Sequence, residues 1–177
     1  LGADAGTLNC AASGSGGAFL VLESRQHAEA RGARIYAQIG GIESDRVRRA
    51  DGGLESRLRE MATGLSGAGG TLLAVSAASG AHEATAAERK ALEGRFALRC
   101  VTTLTGYLKE AQFPFAVALA ALAVAHRKAY PPFDRSEAAF AGDMGSVLAT
   151  AVGSNHFEGM ALISAAIRNF TATPRKR

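Results

Sequence analysis

Few side chains in this sequence have the chemistry of a catalytic or metal site. The two cysteines, Cys10 and Cys100, form no C-x-x-C pair and have no metal-ligand spacing. None of the four histidines belongs to an H-x-x-x-H motif: His27, His82, His126 and His156. We therefore expect no metal ion and no cofactor. Cys100 is interpreted as a small core residue and Cys10 as an inert loop residue, and the isolated histidines as structural or solvated groups.

The stretch 101–108 is the place where a site is first expected. It reads as a strand that ends at the turn Thr105-Gly106, and an almost entirely apolar run follows at 113–125. The N-terminus of a helix carries free N–H groups and the positive end of the helix dipole. A turn that directly precedes a buried helix is therefore a common position for a binding or catalytic site.

The elements around this turn predict an α/β protein with a mixed sheet. Strands alternate with helices, and the last two strands are separated by a glycine-flanked turn that favours an antiparallel hairpin. The run 113–125 is uniformly apolar, which predicts a core helix between layers. The predicted strands are 17–23, 34–39, 71–76, 98–101, 146–152 and 160–167. The predicted helices are 24–32, 54–65, 85–96 and 113–128, and loops are expected at 1–16, 40–53 and 134–143.

Composition and charge exclude several classes of protein. A length of 177 residues suits one domain. The net charge of +4 is spread along the chain, so we expect no nucleic-acid partner. The run 113–125 is shorter than the roughly 20 apolar residues that a membrane-spanning helix needs. Two unpaired cysteines and no signal peptide favour a reducing cytoplasm. Because the chain begins at Leu1 without Met, we expect a fragment or a processed piece.

Several segments, in order, resemble β-ketoacyl-acyl-carrier-protein synthases, the condensing enzymes of the thiolase-like fold. The most specific match is Gly16-Gly17-Ala18-Phe19-Leu20-Val21-Leu22-Glu23 with the following His27-Ala28, Ala30 to Ala33 and Ile35 to Ala37. Thr105-Gly106 resembles the family's Lys-Ser-Met-Thr-Gly-His turn. The stretch 153–159 resembles its Asn-Ser-Phe-Gly-Phe-Gly-Gly turn, and Pro131-Pro132 falls where the family has a Pro-Pro pair.

The resemblance implies the C-terminal half of an α-β-α-β-α layered sandwich. Residues 1–177 would form that half, with 1–33 as the end of the preceding N-terminal half. The family's nucleophilic cysteine lies in the N-terminal half, and neither Cys10 nor Cys100 stands at a matching position.

The sequence departs from the family where the chemistry is done. Ala77 stands at the position of one family histidine, Tyr107 at the other and Thr102 at the family's lysine, whereas Glu88 is retained. In the family, two imidazole donors would stabilise enolate charge on a thioester oxygen, as an oxyanion hole does. Ala77 has no donor, Tyr107 offers a single neutral hydroxyl, and Thr102 cannot replace an ammonium. No confident catalytic residue remains.

The first hypothesis is an inactive partner subunit of the chain-length-factor type, in fatty acid or polyketide biosynthesis. One partner would be either a ketosynthase subunit or the missing N-terminal half, and the other an acyl-carrier protein. We also expect a dimer. Phe113 and Phe157 are candidates for lining the acyl tunnel, and Phe115 is interpreted as core. A half sandwich would expose an apolar face, so tight association is predicted.

Two alternatives stay open at this stage. The chain could be part of an active synthase whose Cys lies in a segment absent here, with Tyr107 as a donor together with His82 or His156. It could also be a degenerate remnant with a scaffolding role. The residue at the family's nucleophile position, upstream of Leu1, would discriminate between these hypotheses. The acyl substrate and product length are not readable from the sequence.

Overall fold

The computed structural model describes residues 13–49, 52–67 and 69–166. Cys10 and the loop predicted over most of 1–16 lie outside these ranges, as does the end of the last predicted strand. In chain order the elements are helix α1 (Arg25–Ala30), strand β1 (Gln38–Asp45), helix α2 (Leu54–Ser66), strand β2 (Leu72–Ser76), helix α3 (His82–Leu92), strand β3 (Phe96–Cys100), helix α4 (Val101–Thr105), a short 3-10 turn (Lys109–Ala111), helix α5 (Gln112–His126), strand β4 (Ser146–Val152) and strand β5 (Glu158–Ser164).

The strands form one mixed sheet with the order β1-β5-β4-β2-β3. β2 lies parallel to both β3 and β4, whereas β5 is antiparallel to β4 and to β1. The predicted α/β class, the mixed sheet and the antiparallel hairpin at the end of the chain are therefore confirmed.

Helix α5 covers one face of the sheet with small residues. Ala116, Ala120 and Ala123 are buried against the strands, and their short side chains let the helix approach the sheet closely. The sheet contributes β-branched and other apolar residues to this cluster, among them Leu73, Val75, Val147, Ala149 and Ile163. The outward side of α5 is only half-buried, and Leu122 on it is exposed.

Helices α2 and α3 cover the opposite face. Leu58 and Met61 of α2 and Leu92 of α3 are fully buried. They pack on the alternate strand residues Ala74, Leu148 and Met160. The apolar positions of 54–65 repeat at helical spacing, and that prediction is confirmed by α2.

Helix α1 begins and ends where the sequence predicts. The Ser24 hydroxyl accepts a hydrogen bond from the His27 amide at 3.2 Å, which caps the first turn. Gly32 follows the helix with φ of +68°, a conformation that glycine adopts at low cost.

The predicted strand 17–23 is wrong as an element of this sheet. The segment is irregular and pairs with no strand, and Phe19 and Val21 are 102% and 85% exposed. A continuous apolar run forms a strand when both faces of its sheet are covered. No other part of the described chain provides such a sheet next to this segment, so the run remains unpaired.

Two other predictions need correction. The strand expected at 34–39 begins only at Gln38 and continues to Asp45, into the loop expected at 40–53, because β1 pairs with β5 from Gln38 opposite Ser164 to Asp45 opposite Glu158. The strand expected to end at Thr105-Gly106 is α4. The Thr105 hydroxyl donates to the Val101 carbonyl at 3.1 Å, and Gly106, with φ of +73°, ends the helix.

The long connection 127–145 is irregular, as expected for 134–143, and a buried arginine holds it. Arg99 of β3 is fully buried. Its guanidinium donates to the carbonyls of Tyr130 at 2.9 Å and Ala138 at 3.0 Å, and lies 3.9 Å from Glu137. Glu137 in turn accepts from the amides of Cys100 and Phe133, both at 2.7 Å. Burial lowers the pKa of Arg99.

Candidate functional site

The neighbouring parallel strands β2 and β4 form a topological switch point at their carboxyl ends, and we name this end of the sheet the crevice. The chain leaves β2 towards β3 and leaves β4 towards β5, so the connections diverge in opposite directions from two neighbouring parallel strands. In open α/β sheets, ligands bind outside the carboxyl ends of strands at such a switch point. Residues 77–81 and the turn 153–157 border this crevice, and both were expected from the sequence to belong to a site.

Ala77 extends β2 into the crevice without offering a functional group. Its amide donates to the Thr150 carbonyl at 2.8 Å, and the Ser79 amide donates to the Val152 carbonyl at 3.1 Å. The loop therefore continues to follow β4. The Ala77 side chain is a buried methyl group, which can neither donate a hydrogen bond nor carry charge.

Glu88 lies directly beneath this loop and is fully buried on α3. Its carboxyl accepts hydrogen bonds from the Ser76 hydroxyl at 2.6 Å and from the Thr150 hydroxyl. Burial raises the pKa of Glu88, and the two hydroxyl donors oppose that rise in part. Because Ser76 also accepts from the Ala78 amide at 3.2 Å, the retained acid fixes the end of β2 to β4.

Thr102 occupies a closed hydrogen-bond network. Its hydroxyl donates to the Ala78 carbonyl at 2.7 Å and accepts from the Gln112 side-chain amide at 2.8 Å. The Gln112 side-chain carbonyl accepts from the Leu108 amide at 2.8 Å. This network is electrically neutral and joins α4, α5 and the loop after β2.

Tyr107 contributes its backbone to the fold. Its carbonyl accepts from the Gly14 amide at 3.0 Å, and an isolated bridge joins it to Ser13. A Cβ on Gly14 would lie 2.0 Å from the Thr105 carbonyl oxygen, so only glycine fits there. Among the described residues, the Tyr107 hydroxyl has no hydrogen-bond partner.

The turn 153–157 is compact and strained. The Gly153 amide donates to the Phe157 carbonyl at 3.0 Å, and a Cβ on Gly153 would lie 2.2 Å from the His156 carbonyl oxygen. Phe157 has φ of +68°, which is unusual for a bulky residue. Phe157 is 64% exposed, and the centre of its ring lies 6.2 Å from the centre of the His156 ring.

A buried ion pair holds this turn to the end of β1. Glu158 is buried and accepts from the Arg49 guanidinium and from the Val47 amide at 3.0 Å. Arg49 also donates to the Gly153 carbonyl at 2.8 Å. No sequence pattern predicts this pair, because its two members are far apart along the chain and no periodicity links them.

Cys100 lies in the core at the end of β3, as expected. Burial is the main cause that raises the pKa of its thiol to about 12. Since the thiolate is the reactive form of cysteine, Cys100 is a poor nucleophile. The described residues also contain no group of three or more His, Cys, Asp or Glu side chains arranged to hold a metal ion.

The remaining candidates are dispersed. Phe113 and Phe115 are partly buried against the cluster beneath α5, whereas His82 and His156 are exposed. Two surface clefts, of about 430 and 330 Å³, lie along α2 and between α2 and α3, and only the second includes His82. Ala77, Thr102 and Tyr107 line neither cleft. Within 13–49, 52–67 and 69–166, no helix has the length and hydropathy needed to cross a bilayer.

Solved structures with a similar fold are ketosynthases. Ketosynthase twelve of the bacillaene polyketide synthase from Bacillus amyloliquefaciens superposes with a TM-score of 0.63 and 15% identity, over 80% of this chain and 32% of that chain. An oxazolomycin ketosynthase domain from Streptomyces albus gives 0.57 and 17%, over 82% and 32%. The AntDE:AntF structure, a type II polyketide synthase acyl-carrier protein in complex with its ketosynthase bound to the hexaketide, gives 0.60 and 12%, over 81% and 37%.

The chain has the thiolase-like fold of ketosynthase domains. At identities of this size the likeness establishes the fold alone, and the chain spans about a third of the length of these ketosynthases. No protein-family model and no curated protein sequence matches the chain.

Proposed function

We propose that this chain is a ketosynthase-like partner subunit of the chain-length-factor type, without catalysis of its own. The observation that carries the proposal is the content of the crevice between β2 and β4. Ala77 presents a buried methyl group there, and the Thr102 hydroxyl is already bound at both ends. These two positions serve the fold and leave no charged donor for a thioester.

The chemistry of condensation explains why these residues matter. Decarboxylation of a malonyl thioester generates an enolate, whose charge must be stabilised by donors aimed at the thioester oxygen. Losing one such donor typically costs about two to three orders of magnitude in rate. Ala77 and Tyr107 stand where the resemblance places two imidazoles, and Cys100 is too basic to act as the nucleophile at neutral pH.

Unpaired apolar surface supports the proposed association. The four consecutive apolar residues 19–22 are all exposed, and a run of this kind is typical of a strand in a covered sheet. The outward side of α5 adds further apolar area. Contiguous exposed surface of this kind marks an interaction site. We assign residues 1–33 to the neighbouring half of the sandwich, supplied by a missing N-terminal half or by a ketosynthase subunit, so that a dimer results.

The proposal includes the acyl tunnel and the pathway. Phe113, in the first turn of α5, and Phe157, beside the crevice, are proposed to limit the length of the acyl chain. An acyl-carrier protein is the proposed carrier, since a similar fold occurs in a ketosynthase complex with its acyl-carrier protein. Fatty acid or polyketide biosynthesis in the cytoplasm is the proposed setting.

Decarboxylation of malonyl-carrier protein tests the proposal. The purified chain alone should release no carbon dioxide above the buffer control, and its complex with a ketosynthase should be active only through the ketosynthase cysteine. Alkylating that cysteine with iodoacetamide should remove all activity. Release of carbon dioxide by the isolated chain would contradict the proposal. As a matched control, the double variant A77H/Y107H should remain inactive in isolation.

The alternative function is part of an active β-ketoacyl-acyl-carrier-protein synthase, favoured by the retained Glu88. In that case a Cys supplied by an upstream segment would form an acyl-enzyme with Tyr107 as a donor. Activity of the complex that survives alkylation of the partner ketosynthase would support this alternative. The bonds of Glu88 to Ser76 and Thr150 already give it a structural role.

A further inference from the structure

The two edges of the sheet differ in what covers them. At the edge formed by β3, the connection between α5 and β4 lies alongside the strand, because Arg99 donates to the carbonyls of Tyr130 and Ala138. At the other edge, β1 pairs with β5 on one side, and no strand of the described chain pairs with its other side. A free strand edge is a template for pairing with another segment of chain.

The free edge of β1 is regular over five residues. After the bulge near its start, β1 keeps an unbroken register with β5 from Gly41 to Asp45. Ile42 is exposed in the middle of this stretch. The carboxylates of Glu43 and Asp45 form ion pairs with Arg57 of α2, so they are directed towards that helix. An incoming strand would therefore meet a backbone edge with an apolar side chain at its centre.

The same chain contains a strand-forming segment that has no sheet. Residues 18–22 are uncharged and include the exposed Phe19 and Val21. Aromatic and β-branched residues favour the pleated surface of a sheet, yet no strand of the described sheet pairs with this segment. We define residues 18–22 as the donor run. Its five residues match the regular stretch of the free edge in length.

The donor run ends close to the start of β1. Ser24 caps α1 soon after the run, and the Arg25 side chain of α1 donates to the side-chain carbonyl of Gln38, the first residue of β1. The end of the run and the start of the free edge are therefore separated by about one arginine side chain. Two copies related by a twofold axis can each place their run on the edge of the other.

We propose that two copies of this chain associate by exchanging their donor runs, each of which adds as an outer strand to β1 of the other copy. Main-chain hydrogen bonds along residues 41–45 provide the pairing, and Ile42 contacts apolar side chains of the run across the strands. Because the exchange is reciprocal, it covers both free edges, and association stops at the dimer.

This self-association goes beyond the proposed function and competes with it for one segment. A neighbouring half of the sandwich would take the donor run into its own sheet. The exchanged dimer is therefore the form of the chain without that partner, and a partner must displace the second copy before it binds.

Light scattering after gel filtration of the full chain tests the proposal. The unaltered chain should have the mass of two copies. Neighbouring amides of a strand point to opposite sides, so the variant L20P/V21P removes a main-chain donor on each side of the run. It should raise the dimer dissociation constant by about tenfold or more. The matched control L20I/V21I keeps both amides and the apolar surface, and it should remain a dimer.

A second variant and hydrogen exchange distinguish this interface from association through α5. L122K places a charge on the outward side of α5 and should leave the dimer intact. The amides of residues 41–45 should exchange more slowly in the unaltered chain than in L20P/V21P.

A monomeric unaltered chain, a dimer that L20P/V21P does not weaken, or assembly into open chains of many copies would each overturn the exchange. Dissociation by L122K alone would assign the interface to α5 and would also overturn it. These masses do not depend on decarboxylation, so the exchange and the proposed lack of catalysis can fail separately.

Discussion

The loop after β2 and the turn after β4 border the same crevice but differ in almost every physical property. Around Ala77 the polar groups are buried, paired and unstrained, as Glu88 and Thr102 show. Around Phe157 the backbone is strained, the ring is exposed and positive charge faces solvent. The comparison shows that the loop after β2 is buried and fully hydrogen-bonded, whereas the turn after β4 is exposed and strained.

The largest expected effect comes from the ion pair that supports the turn. In the variant R49M, Glu158 stays buried without its cation, so the free energy of unfolding should fall by about 3–5 kcal/mol. Urea unfolding followed by circular dichroism measures this. The double variant R49M/E158Q removes the buried charge and should recover part of the loss. An unchanged midpoint for R49M would show that the pair does not hold the turn.

On the other side of the crevice, Thr102 provides the comparable test. In T102V the Ala78 carbonyl and the Gln112 side-chain amide lose their partner inside the protein, which should cost about 1–3 kcal/mol. T102S keeps the hydroxyl and serves as the matched control. If T102V and T102S unfold at the same denaturant concentration, the network does not stabilise the loop.

Relief of the backbone strain at Phe157 should stabilise the protein, in contrast to the two variants above. F157G removes the cost of positive φ and should raise the free energy of unfolding by about 1 kcal/mol. F157A keeps a Cβ at the same φ and should give no such gain. A loss of stability in F157G would mean that the ring packs against the fold more strongly than its exposure indicates.

The smallest expected change in stability comes from Glu88 and depends on pH. The raised pKa of Glu88 means that the folded chain holds a proton more tightly than the unfolded chain. This contribution to stability is complete below the ordinary pKa of glutamate and is lost as the pH rises through the raised value. E88Q removes the titration, so its stability relative to the unaltered chain should increase as the pH rises from 4 to 8. A pH-independent difference would contradict this explanation.

The sequence predicted the layers of the fold better than it predicted their connections. Helical spacing in 54–65 and the hairpin of β4 and β5 were readable because each pattern is local. The threonines of α4 favour a strand by propensity. In the helix that forms instead, the Thr105 hydroxyl bonds to the Val101 carbonyl of the same helix, and the Thr102 hydroxyl bonds to the Ala78 carbonyl of the loop after β2. The apolar pattern of 17–23 predicts a strand in a covered sheet, but this segment pairs with none of the five strands of the described sheet.

The sequence identified the candidate residues but not their contacts. The resemblance located Ala77, Thr102, Tyr107 and the turn 153–157 from short motifs. No pattern in the sequence could pair Arg49 with Glu158, or show that the Glu88 carboxyl binds two hydroxyls, because these contacts depend on tertiary packing. The positive φ at Phe157 was also not predictable from the sequence, because this conformation is usually adopted by glycine.

The buried Arg99 has a consequence for the motions of the chain. The connection between α5 and β4 has no regular secondary structure, yet its carbonyls bind a guanidinium in the core, and Glu137 accepts two of the neighbouring amides. The Phe133 amide can exchange with solvent only when its hydrogen bond to the buried Glu137 carboxylate opens. The Phe133 amide should therefore exchange its hydrogen nearly as slowly as the central strands do, so that an irregular segment opens only together with the sheet.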